Sequence, residues 1–111
     1  MKKIITLKEN RDFRKLYTRG KSCVSPVLVT YILKNHTENV RVGITTSKKT
    51  GNAVGRNRSR RIIREAIRKI YPRINGGIDL VFVSRAKTCY TKSTDIEKVM
   101  LSHLSQLGAL K

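Results

Sequence analysis

The chain has 111 residues, 25 of them Lys or Arg against 7 Asp or Glu, for a formal net charge of +18. That length suits one domain, residues 1–111, with a single modest core, and the 39% hydrophobic fraction is that of a folded rather than a disordered protein. The charge asks for a polyanionic partner, nucleic acid first and an anionic membrane surface second. No apolar run approaches the roughly 20 residues of a membrane span, and Met1-Lys2-Lys3 leads into no signal-peptide core, so the expected location is the cytoplasm.

In chain order, Leu7 to Arg19 reads as a first helix, with Phe13, Leu16 and Tyr17 recurring at i, i+3, i+4 and Gly20 as its stop. Asn10 offers an alternative cap for a shorter helix from Arg11. Lys21 to Ser25 is a short strand ended by Pro26, and the β-branched run Val27 to Lys34 is a longer one. Val40 to Thr46 is the next strand. The short polar turn Asn35–Asn39 predicts an antiparallel hairpin between these last two. Ser47 to Gly55 reads as a loop, Arg56 to Tyr71 as a long helix ended by Pro72, and Asp79 to Ser84 as a buried strand. Ser93 or Thr94 caps a final helix in capping-box spacing with Glu97, and Gly108 closes it. The expected order is α-β-β-β-α-β-α, an α+β sandwich with one sheet of about four strands.

The stretch Arg41 to Arg73 holds eleven basic residues and one acid, Glu65, a local net of +10. On its helix, Ile63, Ala66, Ile67 and Ile70 share one face. Asn57, Arg61, Arg64 and Arg68 lie opposite, flanked by Arg58 and Arg60. Like charges this close repel, and only Glu65, four residues from Arg61, offers local relief. A merely solvated face would be served as well by lysine mixed with glutamate. Dense arginine is better explained by its fork of donors, which fits phosphate oxygens in pairs and stacks on bases. The amino end of the helix adds free N–H groups and partial positive charge, with Lys48, Lys49 and Arg56 nearby. Gly51 and Gly55 serve either a tight loop or a close approach of backbone to RNA.

Enzymatic readings find little support. The seven carboxylates are scattered with no two-metal cluster, and no Ser/His/Asp or Cys/His arrangement stands out. Cys23 and Cys89 read as reduced thiols in or near the core. His36 reads as a turn residue and His103 as a helix packing or surface residue, and none of the four has metal-site spacing. A binding protein without catalytic or metal-ligating residues is the expectation.

The run SKKTGNAVGRNRSRRIIREAIRK resembles the signature of the bacterial ribonuclease P protein component. Val42-Gly43, Ser47-Lys48-Lys49, Gly51-Asn52-Ala53-Val54, Arg56-Asn57-Arg58, Arg60-Arg61 and Arg64 stand in that family's order. Leu7, Asp12-Phe13 and Arg19-Gly20 agree as well, so the resemblance covers nearly the whole chain. It implies the family's α/β sandwich with a left-handed βαβ crossover, where chain chirality alone favours the right-handed form. It implies that Lys48, Lys49, Arg56, Asn57, Arg58, Arg60, Arg61, Arg64 and Arg68 face the catalytic RNA and the nearby precursor tRNA. It also implies a cleft for the single-stranded 5′ leader at Phe13, Tyr17, Tyr31, Ser47 and Arg85. Magnesium would serve the holoenzyme, bound mainly by RNA, with no cofactor intrinsic to the protein and no protein oligomer required. The competing readings are a ribosomal or other structural RNA-binding protein and a helix-turn-helix DNA binder. The second is disfavoured because Gly76-Gly77 and a buried strand follow the basic helix.

Overall fold

The computed structural model describes residues 4–46 and 52–111. The chain runs β1 (Ile4–Thr6), α1 (Asn10–Arg19), β2 (Lys21–Val24), β3 (Leu28–Lys34), β4 (Val40–Thr45), α2 (Ala53–Ile70), β5 (Ile78–Ser84) and α3 (Ser93–Gln106), with 3-10 turns at Tyr71–Arg73 and Thr88–Tyr90. The strands form one sheet in the order β1-β4-β5-β3-β2. Only Val83 of the seven β5 residues is not buried, and a strand apolar on both faces belongs in the middle of a sheet covered on both sides.

That central place overturns the expected hairpin. β3 and β4 are not neighbours: β5 lies between them, antiparallel to β3 and parallel to β4. Lys34 and Val40 both pair with Ile78, so the Asn35–Asn39 turn bridges two strand spacings, about 10 Å, across the start of β5. Gly77 fills the gap. Its carbonyl accepts from Asn35 N at 3.0 Å, and its own N–H donates to Asn39 O at 3.0 Å. Its φ of +80° suits glycine, and a Cβ there would lie 2.8 Å from Thr37 O.

The sheet has five strands rather than about four. The addition is β1, three exposed residues pairing in parallel with β4 at one edge. The Leu7 N–H continues that ladder to Val42 O at 2.9 Å, so Leu7 is a buried residue ahead of α1 rather than its first turn. Helix α2 starts earlier than expected. The Asn52 side chain caps it by accepting from Gly55 N at 2.9 Å, which draws Ala53, Val54 and Gly55 out of the supposed loop into the helix. At α3 the capping box does not form. Lys92 occupies the cap position, so Ser93 and Thr94 already lie inside the first turn.

Helices cover the sheet unequally. Val40, Val42, Ile78, Leu80, Phe82, Leu28 and Ile32 point to the side of α2 and α3. There they join Ile63, Ala66, Ile67, Ile70, Ile96, Met100 and Leu104 in the main core. The other face carries a smaller cluster of Leu7, Leu16 and Val81, with Phe13, Tyr31, Leu33 and Val83 partly buried around it. One ten-residue helix, α1, packs on that face.

Candidate nucleic-acid interface

On α2 the sequence pattern is realised as two faces. Ile63, Ala66, Ile67 and Ile70 are buried, together with Ser59, while Asn57, Arg58, Arg60, Arg61, Arg64 and Arg68 are exposed. Arg56 is half-buried and engaged within the protein. Among the described residues, none of the five exposed arginines enters an ion pair, and the relief expected from Glu65 to Arg61 does not materialise. Arg61, Arg64 and Arg68 therefore form a ladder about 10 Å long, at 1.5 Å rise per residue, with their guanidinium donors free for an outside acceptor. The first turn of α2 contains no acid to neutralise the amino-terminal dipole. Ser47, Lys48 and Lys49, which the sequence adds to this surface and to the cleft, lie outside the described residues.

Beside α1, Phe13 and Tyr31 pack on the cluster of Leu7, Leu16 and Val81, and Tyr17 meets Tyr31. Phe13 is half-buried over the backbone of Gly43: a Cβ there would fall 2.5 Å from Cε1 and 2.6 Å from Cζ of the ring. Tyr17 is 41% exposed and meets Tyr31 edge-on, ring centroids 4.9 Å apart at 72°. Leu16, completely buried between them in sequence, anchors the helix so that its aromatic neighbours reach the open side. Arg11, Arg14, Lys15 and Arg19 are exposed along α1. The exposed Arg85 stands at the end of β5, and its Nη1 donates to Ser25 O at 3.2 Å. Partly exposed aromatic rings beside the cations of α1 suit a single-stranded nucleic acid, gripped by stacking and by charge.

Two supports escaped the sequence reading. Gly43, visible there only as part of a Val-Gly pair, is the seat of the Phe13 ring. Arg41 and Asp79, directly paired across β4 and β5, form a two-pronged ion pair: Nε to Oδ1 at 2.7 Å and Nη2 to Oδ2 at 2.6 Å. Asn35 Nδ2 donates to the same Oδ1 at 2.9 Å, and Asp12 of α1 lies 3.9 Å from Arg41. The hydrogen bond to Asp79 pushes the Arg41 guanidinium above its ordinary range against the opposing effect of burial, so its positive charge is secure. The signal was there, one basic and one acidic residue inside two apolar strands, but only the register makes them partners.

Among the described residues, no three His, Cys, Asp or Glu side chains gather into a set able to hold a metal ion. The most buried carboxylate, Asp79, already has both oxygens engaged, so it does not fit a magnesium ion. Among the same residues, no helix is long and apolar enough to cross a membrane.

A model of the ribonuclease P family matches residues 1–108. The chain belongs to the ribonuclease P protein family. It is 48% identical over 93 residues to the ribonuclease P protein component of Clostridioides difficile (strain 630), covering 83% of this chain and 82% of that one. To the component of Alkaliphilus oremlandii (strain OhILAs) it is 39% identical over 111 residues, with 99% and 96% covered. Among solved structures, the RNase P protein of Staphylococcus aureus superposes with a TM-score of 0.84 at 29% identity, covering 98% of this chain and all of that one. The Thermotoga maritima RNase P protein gives 0.77 at 29% identity over 87% of this chain and 92% of that one. The mixed α+β fold of the family, the resemblance noted in the sequence and a place in the ribonuclease P complex beside its RNA all stand on these matches.

Proposed function

We propose that this protein holds the catalytic RNA of ribonuclease P through the arginine face of α2 and takes the 5′ leader of precursor tRNA into the cleft between α1 and the sheet. The observation that carries the reading is the row of exposed arginines free of protein ion pairs, in a chain of this family. Such a face is unfavourable in isolation, and pairing with phosphates turns its repulsion into binding energy. On the opposite face of the sheet, Phe13 and Tyr17 offer ring edges to unpaired leader bases, Tyr31 buttresses Tyr17, and Arg85 supplies a cation at the cleft's end.

The protein's part in the reaction is positioning and charge neutralisation. Among the described residues no three His, Cys, Asp or Glu gather to hold a metal ion, and in this reading the chemistry of leader removal, with its magnesium ions, belongs to the RNA partner. The product would be a tRNA with a mature 5′ end. A cytoplasmic setting follows from those partners.

The test is reconstitution with a ribonuclease P RNA at low magnesium, measuring leader cleavage with and without the protein. Stimulated cleavage is expected. RNA binding without stimulation would instead favour a structural RNA-binding role. In the same system, Phe13→Ala should weaken precursor tRNA binding while leaving mature tRNA binding unchanged, and equal loss for both would remove Phe13 from leader recognition.

A further inference from the structure

We propose that the 3-10 turn Thr88–Tyr90 carries a second RNA contact, in which an unpaired base of the catalytic RNA stacks on Tyr90 while flanking phosphates meet Lys87 and Lys92. This rests on the proposed partnership with catalytic RNA and adds a site to it.

Tyr90 is 87% exposed, more than any other large hydrophobic side chain among the described residues. The backbone that carries it is nevertheless tied down. Thr88 and Cys89, just before it in the turn, are buried. The Thr88 hydroxyl donates to Val27 O at 2.6 Å and accepts from Arg85 N at 2.8 Å. Tyr90 N donates to Lys87 O at 3.1 Å, and the Thr91 hydroxyl donates to the same carbonyl at 2.7 Å. With the backbone already ordered, covering the ring with a flat partner costs only the freedom of one side chain.

The surroundings select that partner. Lys87 and Lys92 flank the ring in sequence, both exposed, and no acid lies between them. An aromatic face interleaved with lysines is the pattern for unpaired nucleic acid, where the ring takes a base and the ammonium groups take phosphates. The turn packs against α2, so Tyr90 extends the side of the arginine helix. The leader cleft lies on the opposite face of the sheet, under α1. The occupant is therefore the RNA held by α2, not the leader.

The chain contains no tryptophan, so Tyr90→Trp installs a unique fluorescent reporter at the site. Titration with catalytic RNA alone should quench it strongly, and titration with precursor tRNA alone should not. Tyr90→Ala should weaken catalytic RNA binding about tenfold, as expected for one lost base stack, with Tyr90→Phe close to wild type. Lys87→Ala and Lys92→Ala should each lower the salt slope of binding by about one. Quenching by precursor tRNA but not by catalytic RNA overturns the proposal, because the ring then serves the leader. An unquenched indole in Tyr90→Trp together with wild-type affinity in Tyr90→Ala also overturns it, while leaving the α2 interface intact. Failure of the wild-type protein to bind catalytic RNA overturns both readings.

Discussion

The ring of Phe13 rests on the bare backbone of Gly43, and nothing larger than hydrogen fits between them. A Cβ at position 43 would meet two ring carbons at 2.5 and 2.6 Å and Leu7 Cβ at 3.3 Å. Sequence position 43 therefore sets how closely α1 approaches the sheet: the absent side chain in β4 lets a helix aromatic sink to it. Gly43→Ala should push Phe13 outward and cost about 1–3 kcal/mol by overpacking, read as a lower urea midpoint. Pairing it with Phe13→Leu, a softer and smaller side chain, should return part of that loss. Additive losses in the double variant would show that the ring is not what Gly43 accommodates.

The Arg41–Asp79 pair ties β4 to β5 beneath α1, and its two members are not equally dispensable. Asp79 has 5% of its side chain exposed and Arg41 34%. Removing the arginine strands a nearly sealed carboxylate, whereas removing the carboxylate leaves a guanidinium that still reaches water and Asp12. Arg41→Ala should cost roughly 3 kcal/mol, the low end for breaking a buried pair because solvent screens part of it, and Asp79→Ala should cost less. Arg41→Lys keeps the charge but not the fork, and should fall between wild type and Arg41→Ala. Thermal unfolding of the three variants checks the ranking, and an Asp79→Ala loss larger than that of Arg41→Ala would reverse the assignment.

Which parts of this architecture the sequence could reveal follows from the range of the interactions. The two faces of α2 were legible because helical periodicity is local: Ile63, Ala66, Ile67 and Ile70 turned inward as spaced. The burial of β5 was equally plain from its continuous apolar run. Strand order was not legible, since a short turn at Asn35–Asn39 predicts a hairpin and only the later β5, with Gly77 wedged between Asn35 and Asn39, separates the two strands. β1 was missed because three residues give too little alternation to read. On α1, Phe13 and Tyr17 could be named from helix spacing, but the Gly43 seat and the Arg41–Asp79 brace depend on register between distant segments.

His103 gives the fold a pH dependence of definite sign. The residue is 5% exposed, and its Nδ1 lies 2.8 Å from the Thr30 hydroxyl. Burial holds its imidazole below the ordinary 6.5. The unfolded chain then takes up the proton at a higher pH than the folded one, so the associated stability is full above about 6.5 and is lost as the pH falls through 6.5 toward the lower folded value. Urea midpoints at about pH 7.5 and about pH 5.5, on either side of that ordinary value, should show a drop for wild type and a smaller drop for His103→Gln. Equal drops would assign the effect to other groups.

The arginine ladder separates binding from folding. Arg61, Arg64 and Arg68 are exposed and, among the described residues, free of ion pairs, so their replacement breaks no ion pair. Arg61→Ala, Arg64→Ala and Arg68→Ala should each leave stability within about 0.5 kcal/mol of wild type, with any gain of a few tenths coming from relieved repulsion. Each should nevertheless lower the slope of log affinity for catalytic RNA against log salt by about one, because one fewer counterion is released per lost phosphate contact. Ile67→Ala is the opposite control: it should cost about 2–5 kcal/mol of stability and leave the salt slope unchanged as long as the protein stays folded. A salt response that is flat for wild type, or untouched by all three arginine replacements, would show that this face does not meet phosphate.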